Sequence, residues 1–226
     1  MSEAILFAGP TAWGIDAARF ARAGVRVLPP VRRGDVERLV ASSGTPGVAI
    51  ICDGVFQAAP AVSHAELCGA IDGGWQVWGV SSLGAIRAHE LRHEGMRGFG
   101  QVHAMFERFD DFTDDEMCLL HFPEPPYFPV SEPLVNLRYA LEQRAPALGI
   151  SERSSKALLE ALGMLWFGDR TLERFRELMV GDAAIPKASV EPLLDWLKRH
   201  RLKTMDLEDL LSSRPWRQAD TRAETP

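Results

Sequence analysis

Four short apolar runs in the first eighty residues restrict the fold more than anything else in the chain: Ala4–Ala8, Val25–Leu28, Val48–Cys52 and Val77–Val80. Their apolar residues stand largely on consecutive positions and do not alternate, which suits strands covered on both faces of a parallel sheet. Each run is followed by a turn signal and a stretch of helical periodicity, a repeated βαβ rhythm. The fold class this predicts is α/β: an N-terminal Rossmann-like parallel sheet flanked by helices, followed by an all-helical C-terminal region. Ligands of such sheets gather beyond the carboxyl ends of the strands. The segments at those ends are Gly9-Pro10-Thr11, Pro29-Pro30 leading to Arg33-Gly34-Asp35, Asp53-Gly54, and Ser81-Ser82-Leu83-Gly84. They are expected to converge in space.

Beyond Glu107 the texture changes to an acidic stretch ending at Glu116 and then to a proline-rich connector, His121–Val130. The expected division is an α/β core over 1–121, a connector over 122–132, a helical region over 133–212 and a polar tail over 213–226 that should fray. Ser131, Ser151 and Thr204 read as N-caps of helices over 133–145, 152–164 and 205–212, with further helices over 170–180 and 189–201. With 46% hydrophobic and 25% charged residues, 226 residues bury a full core without staples. Three cysteines, an odd number without CxxC spacing, indicate neither a disulfide framework nor a thiolate zinc site. A net charge of −6 without a long Lys/Arg run argues against nucleic acid as a partner. No apolar run is long enough to span a bilayer, and Glu3 stands where a signal peptide needs basic residues, so the expected location is the cytoplasm, away from membranes. No cofactor is expected.

The turn over residues 79–84 puts two hydroxyls where a buried strand passes into a helix, whose first amides and dipole favour an anion. Ser82 is the candidate nucleophile of an elbow of G-x-S-x-G type, although Val80 takes the first glycine position and only Gly84 fits. The plainer reading is that Ser81 or Ser82 caps the helix. Ser63-His64-Ala65-Glu66 is a capping box, which gives Glu66 a structural role beside a catalytic one and leaves His64 free as the leading candidate base. Asp53 is placed to orient His64 or hold a cation, or else to close an Asx-turn with Gly54. Asp35 reads as an N-cap after Arg33-Gly34, and Arg87 can reach an anion at the turn or pair with Glu90 three residues on. His89-Glu90-Leu91-Arg92-His93 matches H-E-x-x-H, in which two histidines one helical turn apart bind zinc and the glutamate activates water. Met96 stands where the extended form of that motif requires glycine.

Gly9-Pro10, Pro29-Pro30 with Arg33-Gly34-Asp35, Asp53-Gly54-Val55-Phe56, Val62-Ser63-His64-Ala65-Glu66, the segment Gly79–Ala88, Asp114-Asp115-Glu116 and Val135-Asn136-Leu137-Arg138 together resemble the TfuA-like family in order and spacing. The resemblance covers about residues 4–140 and is most specific over Ser82–Arg87. It implies a partner of YcaO enzymes, which modify peptide backbone amides, in peptide thioamidation and the biosynthesis of ribosomal peptides. The implied role is hydrolysis of a thiocarboxylated, ubiquitin-like sulfur-carrier protein to pass sulfide to YcaO, with the precursor peptide as a further partner. The candidate residues for such chemistry are His64 as base, Ser82 as nucleophile or oxyanion ligand, Asp53 and Arg87 as positioning groups, and Glu66; those for binding are Gly9, Pro10, Arg33, Asp35, Gly54, Ser81, Gly84 and Glu90. A carrier's Gly-Gly tail would then thread a groove lined by Gly9, Gly54 and Gly84. The alternatives are a non-catalytic docking or allosteric activator of YcaO, and a zinc hydrolase built on His89, Glu90 and His93. Two departures stand out: the family usually has a basic residue at Ala65 and a small one at His89, whereas Glu90 fits the pattern.

Overall fold

A computed structural model describes residues 3–55, 59–109, 112–182 and 184–219, with residues 218 and 219 described in their backbone alone. Phe56 and the tail from residue 220 lie outside the described residues. Strands β1 (Ala4–Phe7), β2 (Val25–Leu28), β3 (Val48–Ile51), β4 (Gln76–Val80) and β5 (Arg97–Phe99) form one parallel sheet in the order β2-β1-β3-β4-β5. Four of the five match the apolar runs to within one residue at either end. Leu6, Ile50, Ile51 and Val80 are completely buried, as runs covered on both faces require.

Right-handed crossovers fix which face each helix takes. Between β1 and β2 runs α1 (Ala17–Ala23), whose Phe20 and Ala23 pack with Leu207, Leu210, Leu211 and Trp216. On the opposite face lie α2 (Asp35–Ser42), α3 (His64–Asp72) and α4 (Leu83–Glu90); α2 packs beside α3, and α4 on β3 and β4. Next comes α5 (Gln101–Arg108). The helical part consists of α6 (Leu134–Arg144), α7 (Glu152–Gly163), α8 (Leu172–Gly181) and α9 (Val190–Arg199) around Leu137, Leu141, Leu162, Phe175, Met179 and Leu193. The chain ends in α10 (Leu202–Ser213) and α11 (Pro215–Ala219).

Two compact units result, Met1–Phe112 with Lys203–Pro226 and Thr113–Leu202. The return of α10 to the first unit differs from the expected division, in which 133–212 formed one helical region. Its Leu207 and Leu210 are fully buried among side chains of the sheet and α1, which settles where it belongs. Frayed structure was expected from residue 213, but Pro215–Ala219 is helical and its Trp216 is buried. Ser151 caps α7 as expected, by accepting from the Ser154 amide. Ser131 does not cap α6, because Pro133 holds that position and the Ser131 hydroxyl accepts from the Leu120 amide. Thr204 lies inside α10 instead of before it.

In the second unit Arg170, with 1% of its surface exposed, donates to the carbonyls of Leu162, Asp115, Gly163 and Leu165 and to the Asp115 carboxylate at 2.5 Å. Buried Glu116 pairs with Arg138. The Asp115-Glu116 segment therefore has a structural role, as the anionic side of two ion pairs.

Helix α4 approaches the sheet more closely than side chains would allow. A Cβ on Gly84 would meet the Ile51 carbonyl oxygen at 1.8 Å, and one on Gly79 the Gly84 oxygen at 2.0 Å, whereas a Cβ on Gly69 of α3 would meet nothing within 4 Å. Gly84→Ala should therefore cost about 3 kcal/mol or more through overpacking against backbone. Gly69→Ala should instead stabilise by roughly 0.5 to 1 kcal/mol through helix propensity. Urea unfolding of the two variants checks both signs.

Candidate active site on the α3–α4 rim

In the strand order 2-1-3-4-5 the connections reverse between β1 and β3, and the carboxyl ends of these strands open the crevice where such folds bind ligands. Here that crevice is filled from within. Asp53, just after β3 and 2% exposed, accepts hydrogen bonds from the amides of Gly9 (2.8 Å) and Thr11 (3.0 Å) and from the Thr11 hydroxyl (2.6 Å). Backbone amides that could cradle a bound anion thus hold an internal carboxylate. Pro10 opens the 3-10 turn between them. From α10, the Thr204 hydroxyl donates to the Thr11 carbonyl (3.1 Å), and the Lys203 carbonyl accepts from Ser81 (2.7 Å). Lys203 is itself buried beside Cys52. Burial and the nearby Asp53 charge push the Cys52 thiol well up, against the opposing pull of Lys203 and the Thr11 and Ser81 hydroxyls, so Cys52 stays protonated.

The four turns do converge. The Glu66 carboxylate accepts from the Gly34 amide (2.6 Å), Val31 bridges to Gly54, and the Gly84 amide donates to the Cys52 carbonyl (3.1 Å). They do so by packing, and this corrects the expected glycine-lined groove: a Cβ on Gly54 would meet Leu83 at 2.0 Å and one on Gly84 the backbone of Ile51. The turn itself also differs from expectation. Neither serine caps α4. Ser82 holds the N-cap position without a side-chain cap bond, and the Ser81 hydroxyl turns to Lys203. The strained backbone of an elbow falls on Ser81 (φ 63°), not on Ser82. The amides of Ser82 and Gly84 go to the carbonyls of Val80 and Cys52, so an anion-binding corner has most of its donors engaged.

His64, the first residue of α3, does not meet Ser82 or Asp53. Its Nε2 lies 2.8 Å from Glu90 Oε2, and Arg87 Nη1 donates to the same oxygen at 2.6 Å. Arg87 Nε also donates to the Val62 carbonyl (3.2 Å), fixing the guanidinium against the residue before the α3 cap. The orienting carboxylate expected of Asp53 is therefore Glu90, because Asp53 is consumed by Gly9 and Thr11. Burial raises the Glu90 pKa, but hydrogen bonds and charge from His64 and Arg87 outweigh it, and the carboxyl sits below its ordinary range. About half of the His64 side chain is exposed, so an outside group can reach it. The capping box is present: Ser63 accepts from the Glu66 amide, and Glu66 Oε1 accepts from the Ser63 amide. With side chains 52% and 36% exposed, the His64–Glu90 contact contributes little to stability.

Other candidates are placed differently. Asp35 is the first residue of α2 and not its N-cap; Gly34, at φ 85°, holds that position, and Asp35 accepts from the Arg32 amide and the Arg38 guanidinium. Arg33 is exposed on the α2 side. The H-E-x-x-H match is not one helical turn, because α4 ends at Glu90 and His93 lies in the turn beyond it. His89 stacks on Phe106 (4.9 Å between centroids) and Glu90 is held by His64 and Arg87. Among the described residues no group of three or more His, Cys, Asp or Glu side chains is arranged to hold a metal ion.

The site contacts of the α10 residues Lys203, Thr204 and Asp206 had no signal in the sequence, because their partners stand 104 to 193 positions earlier in the chain. Asp206, 1% exposed, caps α5 from outside by accepting from the amides of Gln101 (3.0 Å) and Val102 (2.8 Å). Burial, outweighing those two bonds, raises its pKa from 3.8 to about 6. The folded value lies above the unfolded one, so the unfolded chain loses its proton first as pH rises. The Asp206 contribution is thus fullest below about pH 4 and falls by up to about 3 kcal/mol as pH climbs to about 6. Asp206→Asn keeps an acceptor without the charge. Its unfolding free energy relative to the wild type should improve across that window and stay flat above it, as equilibrium unfolding at several pH values measures.

No curated protein matches this chain. The family model described as TfuA-like protein matches residues 53–171, more than half of the 226 residues, and includes Asp53, His64, Glu66, Ser82, Arg87 and Glu90. The chain belongs to the TfuA-like family.

Proposed function

We propose that this TfuA-like protein is an accessory hydrolase of YcaO-dependent backbone thioamidation, which releases sulfide from a thiocarboxylated, ubiquitin-like carrier protein for use by the YcaO enzyme. The observation that carries this reading is the half-exposed His64 imidazole fixed by Glu90 beside Arg87. With Nε2–H donated to Glu90, the lone pair on Nδ1 is available as a base. His64 takes a proton from water, and the water oxygen forms a C–O bond to the thiocarboxylate carbon. Arg87 faces the negative charge of the tetrahedral intermediate. The C–S bond then breaks and His64 returns the proton to the departing sulfur. The net change is thiocarboxylate plus water to carboxylate plus hydrogen sulfide, so no oxidant or reductant is needed. Ser82, which makes no hydrogen bond to His64, has no part in this scheme.

A second reading, a non-catalytic activator that docks onto YcaO, is favoured by one feature. Leu120, Phe122, Phe128 and Val130 are exposed on a paired loop in which Phe122 donates to the Phe128 carbonyl and Val130 to that of Leu120. Clustered exposed apolar groups of this kind mark protein contacts. Sulfide release from purified thiocarboxylated carrier separates the two readings. His64→Ala should lose about 10²-fold or more and Glu90→Gln on the order of tenfold, with Ser82→Ala near wild type. Unchanged release in His64→Ala, together with full stimulation of YcaO by that variant, would establish the activator instead.

A further inference from the structure

The end of α4 meets α5 through two histidines that each bury one ring nitrogen. His89, beside Glu90 in the last turn of α4, stacks on Phe106 of α5 with 4.9 Å between centroids, and Phe106 is held edge-on by Phe112. His103 of α5 meets the His89 ring edge-on, with centroids 6.4 Å apart. The tip of His103 rests on β5 at Gly98, where a Cβ would meet Nε2 at 2.1 Å. His89 Nδ1 and His103 Nε2 are both buried, and among the described residues neither has a hydrogen-bond partner.

A neutral imidazole tolerates this, because its one hydrogen can sit on the other nitrogen and leave only a lone pair unpaired. An imidazolium does not: both nitrogens carry hydrogen, and the buried one becomes a donor without an acceptor. The charges around His103 act in the same direction. His89 on α4 and Arg92 in the turn beyond it oppose a positive charge, and Glu107 on α5 itself favours one. From β5 comes Gly98, while Arg97 beside it turns to Gln76 and Trp78. From α10 comes Asp206, which accepts from the Gln101 and Val102 amides at the start of α5. Burial is the largest influence, and with His89 and Arg92 it outweighs Glu107, so the His103 pKa lies below its ordinary 6.5.

We propose that His89 and His103 form a pH-sensitive latch between α4 and α5, closed while both rings are neutral and released in mild acid. His103 binds its proton more tightly once the latch is open. The stabilisation of the closed form is therefore complete above about pH 6.5 and is lost as pH falls below it. Asp206 works in the opposite sense, because its raised pKa makes acid favour the folded form, so it does not produce the same loss. The latch goes beyond the hydrolase reading and does not rest on it; only through Glu90, the neighbour of His89, would its release reach that site.

Amide hydrogen exchange and histidine ring titration, both followed by NMR on the full-length protein alone, test the latch. Corrected for intrinsic exchange rates, the protection of residues 101–108 should fall several-fold between about pH 7.5 and about pH 5.5, in step with the titration of His103. The fall should exceed that of residues 64–72 in α3. His103→Leu, which takes no proton and leaves no ring nitrogen to bury, should abolish it. Should that variant fail to fold, the wild-type titration decides by itself. Protection of α5 that stays constant while His103 titrates, or that falls equally in His103→Leu, overturns the latch. No carrier is present in these measurements, so their outcome is separate from that of sulfide release in His64→Ala.

Discussion

A carboxylate with 2% of its surface in contact with solvent must find donors inside the protein, and Asp53 finds three of them on the single loop that follows β1. Much of the first unit follows from that choice. The bonds lock Gly9–Thr11 onto the end of β3, and Thr11 then offers its carbonyl to Thr204 of the last long helix. Lys203 beside it receives the Ser81 hydroxyl, so one helix from the end of the chain closes over the ends of three strands. The place where a sheet of this order ordinarily takes its ligand becomes interior. Substituting Asp53 would leave two amides and a hydroxyl unpaired, so its effect belongs to folding and says nothing of chemistry.

With the crevice closed, reactive groups are concentrated one helix to the side. His64, Arg87 and Glu90 come from two helices on the same face of the sheet, and the Arg87 bond to the Val62 carbonyl sets their spacing. The rigid part of this arrangement lies beneath it, where Gly79 and Gly84 let α4 rest directly on β3 and β4. Tight packing of backbone against backbone holds α4 in position and so fixes Glu90 relative to the start of α3.

The sheet was legible because buried parallel strands write themselves as consecutive apolar residues. β5 was not, since Arg97-Gly98-Phe99 is three residues long and offers no such run. The Ser63–Glu66 capping box is a local device and could be read locally. The partnership of His64 with Glu90 spans 26 positions and depends on how two helices pack, and no local rule pairs them in preference to His64 with Asp53. The zinc motif shows the converse: its residue types match, but the periodicity that would give them meaning stops when α4 ends at Glu90. The α10 residues were hidden for a third reason. Lys203 and Asp206 look like the polar face of an ordinary amphipathic helix, and only their burial distinguishes them.

The proposed function places the chemistry at the α3–α4 rim and not in the crevice at the ends of β1 and β3. Amide chemical-shift mapping by NMR during titration with the intact carrier protein addresses it directly. The largest shifts should cluster over residues 62–70 and 87–90, with residues 9–11, 53–54 and 81–82 little changed. Shifts concentrated at Gly9, Asp53 and Ser81, with His64 and Glu90 unmoved, would contradict it.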